Sequence, residues 1–521
     1  MQHRLLKLGA LTLLAATLTA CSTITPEPFS ADEIAERVNA DRVQMYADQE
    51  PITGPLSFNE AAARALKYNL DYRLKLMENA LAKGLLDVSR WDMMPRLVAG
   101  AGYASRNNDS GGRSINIETR EESLAPSTSQ ERNHRMANLE LSWNLLDFGV
   151  SYYRAHQKAD QYLMAKERER KVIQNVLQDT RNAYWRALGA QKLITRVDDL
   201  IIRVETALER SRQVEQQGLL PQPVALGYQR SLLDAVSMLS TRRQELELAR
   251  SELAALLSLP PGTEYTLEEQ HTPVLPMVPG DIEHLETTAL ERRPEIMEEW
   301  YRKRVTANDI KAAMVLALPG IQLDFFNMQY DSNRFLYNNS WTDSGVRLSW
   351  NLFRLASLPA LKRAHEAQNQ TDDFRRMALG MAVITQVRIG VQRYALARSD
   401  LHLAQESARV DQRLLNYAQA AKSSRVDSEL EVIRAEARQL LSEYQQHASY
   451  ANAQSAWGRL YNSLGLDVLP EEIANLDVAS LAQAIGETTT QWEQSLMGDA
   501  TLAPIPTSAP AAIDVSVNTQ P

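Results

Sequence analysis

The pentad Leu-Ser-Trp-Asn-Leu occurs twice in this chain of 521 residues, at 141–145 and again at 348–352. Further matches flank both pentads in the same order: Pro95 with Pro319, and Arg154-Ala155-His156 with Arg363-Ala364-His365. Ordered matches of this kind indicate an internal duplication. We place the two copies at residues 56–262 and 281–467, and we expect each element predicted for one copy to recur in the other.

Apolar and polar residues alternate around each pentad. In the first copy, polar residues separate the apolar side chains of Leu141, Trp143 and Leu145, which predicts a strand with one apolar and one polar face. The same pattern follows each of the two prolines. Each copy is therefore expected to contain a strand hairpin, at about 95–147 and about 319–353. The wall of a membrane barrel and a soluble sheet with one wet face fit this alternation equally well.

The rest of each copy has helical periodicity. In the first copy leucines recur at every seventh position, which predicts a coiled-coil seam: Leu232, Leu239, Leu246 and Leu253. Residues 149–218 contain no proline, and as one helix they would span roughly 105 Å. The long helix of the second copy is expected at about 357–422. The shorter helices are expected near 56–93 and 221–258, and near 281–317 and 427–466. One long helix beside two stacked shorter ones predicts a rod that forms a tube wall or a fibrous stalk.

The N-terminus reads as a secretory signal. Residues 1–20 combine a basic start with a short apolar run that ends in small residues before Cys21, the only cysteine of the chain. A single cysteine can form neither an internal disulfide nor a cysteine-based metal site. The segment resembles the lipobox of bacterial lipoproteins, which implies that Cys21 is lipidated and becomes the first mature residue. Ser22 after it implies, by the same resemblance, sorting to the outer membrane.

Charge and composition limit the function classes. Removal of residues 1–20 takes away Arg4 and Lys7 and lowers the formal net charge from −9 to −11, which argues against nucleic acid as a partner. No run of 18 apolar residues follows the signal. The remaining segments outside the repeats are an N-terminal extension at 21–55, a linker at 263–280, a segment at 468–487, and a Thr-, Ala-, Ser- and Pro-rich tail at 488–521 that we expect to be disordered.

These features together resemble the TolC-type outer membrane efflux family. The resemblance covers about 56–467 and rests on the order of its markers in both copies: Asn69 and Arg293-Pro294, Pro95 and Pro319, the two pentads, and Ala183-Tyr184-Trp185. It implies a mainly helical, two-repeat protomer whose long helices form a periplasmic α-barrel. It also implies four strands per chain in a homotrimeric, 12-stranded outer membrane barrel. The pentads would then be equivalent wall strands, with Trp143 and Trp350 facing lipid.

The resemblance also implies which residues contact the adaptor and which line the periplasmic aperture. The family contacts its periplasmic adaptor through two helix–helix turns, which correspond here to Gly218 and Leu219 and to Ser423, Ser424 and Arg425. Ser423 stands where the family often has glycine. Acidic side chains line the closed periplasmic aperture in the family, and the candidates here are Asp427, Glu429 and Glu431. The alternative for these acids is a solvated helix start, where carboxylates favour the helix dipole.

The expected function is that of an exit duct. The resemblance implies a lipid-anchored outer membrane channel of a tripartite efflux or type I secretion system, with a periplasmic adaptor and an inner membrane transporter as partners. The alternative is a periplasmic coiled-coil adaptor without a pore. We expect no enzymatic activity and no cofactor, since the sequence shows no phosphate-binding glycine-rich loop and its eight histidines form no ligand-like pair.

Overall fold

The computed structural model describes residues 27–47, 49–123, 125–218, 221–269, 275–277, 280–423, 429–469 and 477–497. The helices are α1 Ala31–Met45, α2 Phe58–Tyr68, α3 Leu70–Trp91, α4 Leu145–Gln216, α5 Gln222–Leu256, α6 Ile282–Arg292, α7 Pro294–Val315, α8 Leu352–Ser423, α9 Glu429–Ser463 and α10 Val478–Met497. The strands are β1 Arg96–Ser105, β2 Gly111–Gly112, β3 Ser127–Thr128, β4 Asn133–Asn144, β5 Gly320–Asp331 and β6 Ser340–Ser349.

The two copies fold alike, as the duplication predicts. Each consists of two short helices, a strand hairpin, one helix of 72 residues and one helix of 35 residues. At 1.5 Å per residue each long helix spans about 108 Å. The predicted rod of one long helix beside shorter stacked helices is therefore present in both copies.

One helix predicted in each copy is divided in two. Asn69 ends α2 and begins α3, and its extended backbone (φ −64°, ψ 123°) cannot continue a helix. Its side chain accepts a hydrogen bond from the backbone N–H of Tyr72 at 3.0 Å, which caps α3. Arg293 has the same conformation (φ −69°, ψ 128°) and precedes Pro294 at the start of α7. The predicted continuous helices at 56–93 and 281–317 were wrong at these two positions.

The hairpins join into one antiparallel sheet in the order β1-β4-β5-β6. The central pair β4–β5 connects the two repeats and places Trp143 opposite Leu323. The outer strands β1 and β6 each have one unpaired edge within the described part of the chain. The short strands β2 and β3 pair with each other in the loop between β1 and β4.

The long helices form a layer beneath the sheet. Away from the sheet, α4 packs on α5 and α9, and α9 packs on α8, which gives the order α5-α4-α9-α8. Near the sheet, α4 packs on α3 and α7, and α7 packs on α8. The layer therefore has α8 along one edge, and α3 and α5 along the other. Among the described residues, no helix combines the length and apolar character needed to cross a membrane.

Two cores hold the layer together. The heptad leucines of α5 are buried, as predicted, and Leu232, Leu239 and Leu246 pack in a coiled-coil core with α4 and α9. A second core lies at mid-length, where α2, α6 and α10 cover one face of the layer. We call these three covering helices the equatorial helices.

The expectation of a disordered tail from residue 488 was wrong for residues 488–497. These residues continue α10, and Trp492 anchors them because its indole N–H donates to the carbonyl of Asp467 at 2.9 Å. The guanidinium of Arg292 lies 5.1 Å from the centre of the same ring. An aromatic ring with these two partners makes ordered helix favourable despite the polar composition. Residues 498–521 lie outside the described part of the chain.

Candidate functional site

The tryptophan of each pentad fastens the end of a strand to the end of a helix. The indole N–H of Trp143 donates to the carbonyl of Met93 at 3.3 Å, and that of Trp350 donates to the carbonyl of Ala317 at 3.0 Å. Each carbonyl lies two residues before the equivalent proline of its repeat, Pro95 or Pro319. The two tryptophans therefore make equivalent bonds at the corner where helix turns into strand.

Both indole rings keep part of their surface exposed. Trp350 is 48% exposed, and Trp143 is half-buried against Phe148 with ring centres 5.2 Å apart. A ring that binds backbone through N–H and leaves its apolar body open suits a boundary between lipid and water. Contact of Trp143 and Trp350 with lipid stays a prediction, whereas their hydrogen bonds explain why tryptophan stands in both pentads.

Both edges of the helical layer carry exposed apolar rows. On α8 the row repeats at every seventh residue: Ile389, Leu396, Leu403, Val410 and Tyr417. On α3 the row follows three- and four-residue steps: Leu70, Leu74, Met77, Leu81, Leu85 and Val88. We call them the α8 row and the α3 row. Regular apolar rows at helical spacing are seams for packing against another helix.

The first helix–helix turn contains the glycine that the sequence singled out. Gly218 follows the end of α4 and has a left-handed backbone with φ +66°, a conformation that favours glycine at a helix end. Its N–H donates to the carbonyl of Glu215 at 2.9 Å, and Pro221 then precedes α5. At the second turn, Ser423 ends α8, and its hydroxyl donates to the carbonyl of Ala420 at 2.7 Å. Both residues lie at the end of the rod farthest from the sheet.

Five of the candidate site residues lie outside the described part of the chain: Cys21, Leu219, Ser424, Arg425 and Asp427. Their roles in lipidation, adaptor contact and the aperture stay predictions.

The acidic candidates Glu429 and Glu431 occupy the first turn of α9. A carboxylate oxygen of Glu429 lies 3.4 Å from the ammonium of Lys422 on α8, and another lies 3.9 Å from the guanidinium of Arg210 on α4. Glu431 pairs with Arg434 at 2.7 Å within α9. Glu429 thus links three helix ends at the tip of the rod. Both carboxylates are half-exposed, so these pairs are weak in the single chain.

A buried ion-pair network at mid-length was not predicted. Arg170 on α4 holds both carboxylate oxygens of Asp467 at 2.9 and 3.0 Å and an oxygen of Glu167 at 2.5 Å. Burial raises the pKa of Glu167, and the nearby charge of Arg170 opposes that rise. Bidentate pairing fixes the chain after α9 against α4. No sequence signal identified it, because Asp467 is distant in the chain from Glu167 and Arg170, and each of the three resembles an ordinary helix-surface charge.

The described residues contain no cluster of three or more His, Cys, Asp and Glu side chains able to hold a metal ion. The candidate site is a set of surfaces: two sheet edges, two apolar rows and a charged tip.

Similarity to known proteins is found both in the sequence and in the structure. The profile of the outer membrane efflux protein family matches residues 63–258, which lie within the first repeat. No curated protein matches the sequence. Among solved structures, the outer-membrane channel OprN is 19% identical, with a TM-score of 0.58, over 78% of this chain and 89% of that chain.

Two further channel structures are similar. The Neisseria gonorrhoeae MtrE outer membrane channel, solved in its open state, is 14% identical with a TM-score of 0.59, over 78% of this chain and 88% of that chain. The Campylobacter jejuni CmeC outer membrane channel is 13% identical with a TM-score of 0.60, over 89% of this chain and 97% of that chain. At these identities the structural likeness shows the fold. With the family match, it confirms the resemblance to TolC-type outer membrane efflux proteins.

Proposed function

We propose, from the family match of the first repeat and the shared fold of both repeats, that this protein is the outer membrane exit duct of a tripartite efflux or type I secretion system. Three copies would enclose the duct, with their strands in one 12-stranded barrel and their helices in a continuous tube. A periplasmic adaptor and an inner membrane transporter would deliver the cargo and supply the energy. Cys21 would carry the lipid anchor.

The observation that carries this proposal is the pair of open edges. The sheet ends in the unpaired edges of β1 and β6 within the described residues, and the helical layer ends in α3 and α5 on one side and α8 on the other. β1 and α3 share one side of the chain, and β6 and α8 share the other, by connectivity. An unpaired strand edge and an apolar helix row each favour a partner. A second copy supplies the complementary edge for both at once.

Edge-to-edge packing of unlike edges is a heterologous contact, which closes into a ring when the rotation allows it. A ring of sheets is a barrel, and a ring of helical layers is a tube. The number of copies, three, comes from the resemblance. This geometry supports the duct over the adaptor alternative. Pore formation requires open sheet edges that pair between copies, whereas an adaptor without a pore requires no four-stranded sheet of this kind.

Planar lipid bilayers test the proposal directly. Purified protein added to one side should give discrete conductance steps of uniform size, because each step is one assembled duct. The control is the Leu403→Glu variant, prepared in the same way. It places a charge in the α8 row and should reduce the frequency with which channels insert into the bilayer. Protein that reaches the bilayer and never conducts, under conditions in which a porin control does, would refute a channel.

A further inference from the structure

A polar cavity of about 800 Å³ lies over α9 between α4 and α8, at mid-length of the rod. Four arginines line it: Arg186, Arg293, Arg393 and Arg459. The other lining residues that matter here are amides, among them Asn182, Gln386 and Asn452. No carboxylate is among the described residues that line this cavity. The cavity therefore concentrates guanidinium groups in a chain whose net charge is negative.

Carboxylates near the cavity neutralise the four arginines unequally. Arg186 pairs with Glu252 at 2.6 Å, and the Nε of Arg293 lies 3.2 Å from Glu295. Burial raises the pKa of the Asp179 carboxyl, and the nearby positive charge of Arg459 opposes that rise. Asp179 is therefore a counter-charge for Arg459. Arg393 is exposed to the cavity. The wall therefore presents guanidinium groups to the cavity, because the carboxylates that pair with Arg186 and Arg293 are not among the described residues that line it.

Arg293 supplies a second observation. Its side chain is only 14% exposed, because the residue sits in the break between α6 and α7. Its Nη1 atom is buried and has no hydrogen-bond partner among the described residues. An unsatisfied, buried guanidinium N–H is costly, and a small displacement of this side chain toward the cavity that it lines would let an acceptor there pair with it. The guanidinium fork suits carboxylate, phosphate and sulfonate oxygens.

The cavity lies on the face of the layer opposite the equatorial helices. On α4, Tyr184 is buried in the core beneath those helices, whereas Asn182, two residues earlier, lines the cavity. On α9, Trp457 is in the same core and Arg459 lines the cavity. Residues two apart in a helix point about 200° apart. If the layer closes into a tube with the equatorial helices outside, the cavity faces the interior.

We propose that this arginine-lined cavity is a binding site for small anions that carry several negative charges, and that it favours anionic cargo inside the duct. The position inside the duct rests on the proposed function, whereas anion binding by the cavity does not. The site holds its ligand through guanidinium and amide N–H donors and contains no reactive group among the described residues that line it. Its exposure to solvent makes binding weak enough for release, as conduction requires.

Tripolyphosphate is the probe, and isothermal titration calorimetry of the detergent-solubilised full chain at low salt is the first measurement. The test variant is Arg393→Gln with Arg459→Gln. The control is Arg409→Gln with Arg413→Gln, which removes the same charge from α8. Arg409 and Arg413 lie 16 and 20 residues after Arg393, which places them about 160° and 200° around the helix from it. We expect at least about tenfold weaker binding in the test variant and less than about twofold change in the control.

The second measurement is the reversal potential of bilayer channels in a potassium chloride gradient. The test variant should shift it toward cation selectivity, and the control should leave it unchanged. Suppose that the channels still conduct. Equal weakening of tripolyphosphate binding in both variants, or no binding by the unmodified protein, would then overturn the anion site and leave the duct in place. Absence of conductance with binding lost only in the test variant would instead overturn the duct and leave the anion site in place.

Discussion

Two residues at equivalent points of the repeats share a left-handed backbone. Ser258 follows α5 with φ +55°, and Gly465 follows α9 with φ +69°. Both stand between two leucines. The chain after each 35-residue helix must turn back against the break between the two short helices. Ser258 makes the turn with its hydroxyl bonded to the carbonyl of Tyr68 at 3.1 Å. At Gly465 a Cβ would lie 2.6 Å from the Cα of Arg293, so only glycine fits.

We predict that Gly465→Ala lowers the free energy of unfolding by about 2–4 kcal/mol, because the added methyl group meets backbone and the left-handed conformation is strained. Gly227→Ala is the control, since this glycine lies within α5 and a methyl group added to it would meet no atom within 4 Å. It should raise stability by up to about 1 kcal/mol. Thermal unfolding, followed by circular dichroism, compares the stabilities of the two variants. Equal changes in stability would contradict the requirement for glycine at position 465.

The buried pair of Glu169 and Asn79 gives a pH-dependent prediction. The Asn79 amide donates to Glu169 at 2.6 Å, and burial raises the pKa of that carboxyl. As pH rises from about 4 to 7, the unfolded chain therefore releases this proton more readily than the folded chain, and the free energy of unfolding falls. Glu169→Gln removes this dependence, and its new amide can donate to Asn79 Oδ1, which is buried and has no partner among the described residues.

We expect Glu169→Gln to raise the free energy of unfolding by about 1 kcal/mol at pH 7 and to have little effect near pH 4. Glu78→Gln is the control, because Glu78 is exposed on α3 and pairs with Lys75. It should change stability by less than about 0.5 kcal/mol at either pH. A gain from Glu169→Gln that is as large at pH 4 as at pH 7 would show that burial of the charge is not its cause.

Among the helices and strands, sequence periodicity predicted the elements that form and pack within a single chain. Alternation located the four long strands. The leucine heptad located the buried seam of α5, because this helix buries the same face at every second turn. The break at Asn69 was missed, because asparagine also occurs within helices and its capping role depends on where its side chain points. Pro294 offered a clearer signal for the equivalent break, since proline favours a helix start.

The α8 row was also missed, for a different reason. A heptad of apolar residues reads the same in sequence whether its partner lies in the same chain or in another copy. Only the structure shows that the heptad leucines of α5 are buried while Leu396 and Leu403 are exposed. The exposed row therefore carries information about assembly that sequence periodicity could not separate from folding.

We predict that Leu403→Glu disrupts assembly without unfolding the chain, because it places a charge in the α8 row. Ile202→Glu is a matched control: both residues are 62% exposed, and Ile202 lies on α4, an interior helix of the layer. Size-exclusion chromatography with light scattering should show a smaller particle for Leu403→Glu and an unchanged one for Ile202→Glu. A particle of unchanged size in both variants would remove the α8 row from the interface.

At the scale of the whole molecule, ring closure would bring the helix tips together. Inward carboxylates at Asp427 and Glu429 would then recur by symmetry around one narrow mouth, and a ring of like charges attracts cations. We predict that Asp427→Asn with Glu429→Gln raises the divalent cation concentration needed for half-block of bilayer channels by about tenfold. Asp87→Asn with Glu78→Gln removes the same charge from α3 and should leave the block unchanged. Unaltered block in the first pair would remove these acids from the aperture.

The mass of the intact particle decides whether this protein closes into a duct. Native mass spectrometry of protein extracted from the outer membrane in detergent should give three chains, each with acyl mass on Cys21. Three chains would join the open edges of sheet and helical layer into a closed wall of twelve long strands. A monomer, or a particle found only in the periplasm, would leave those edges unpaired and would contradict the duct.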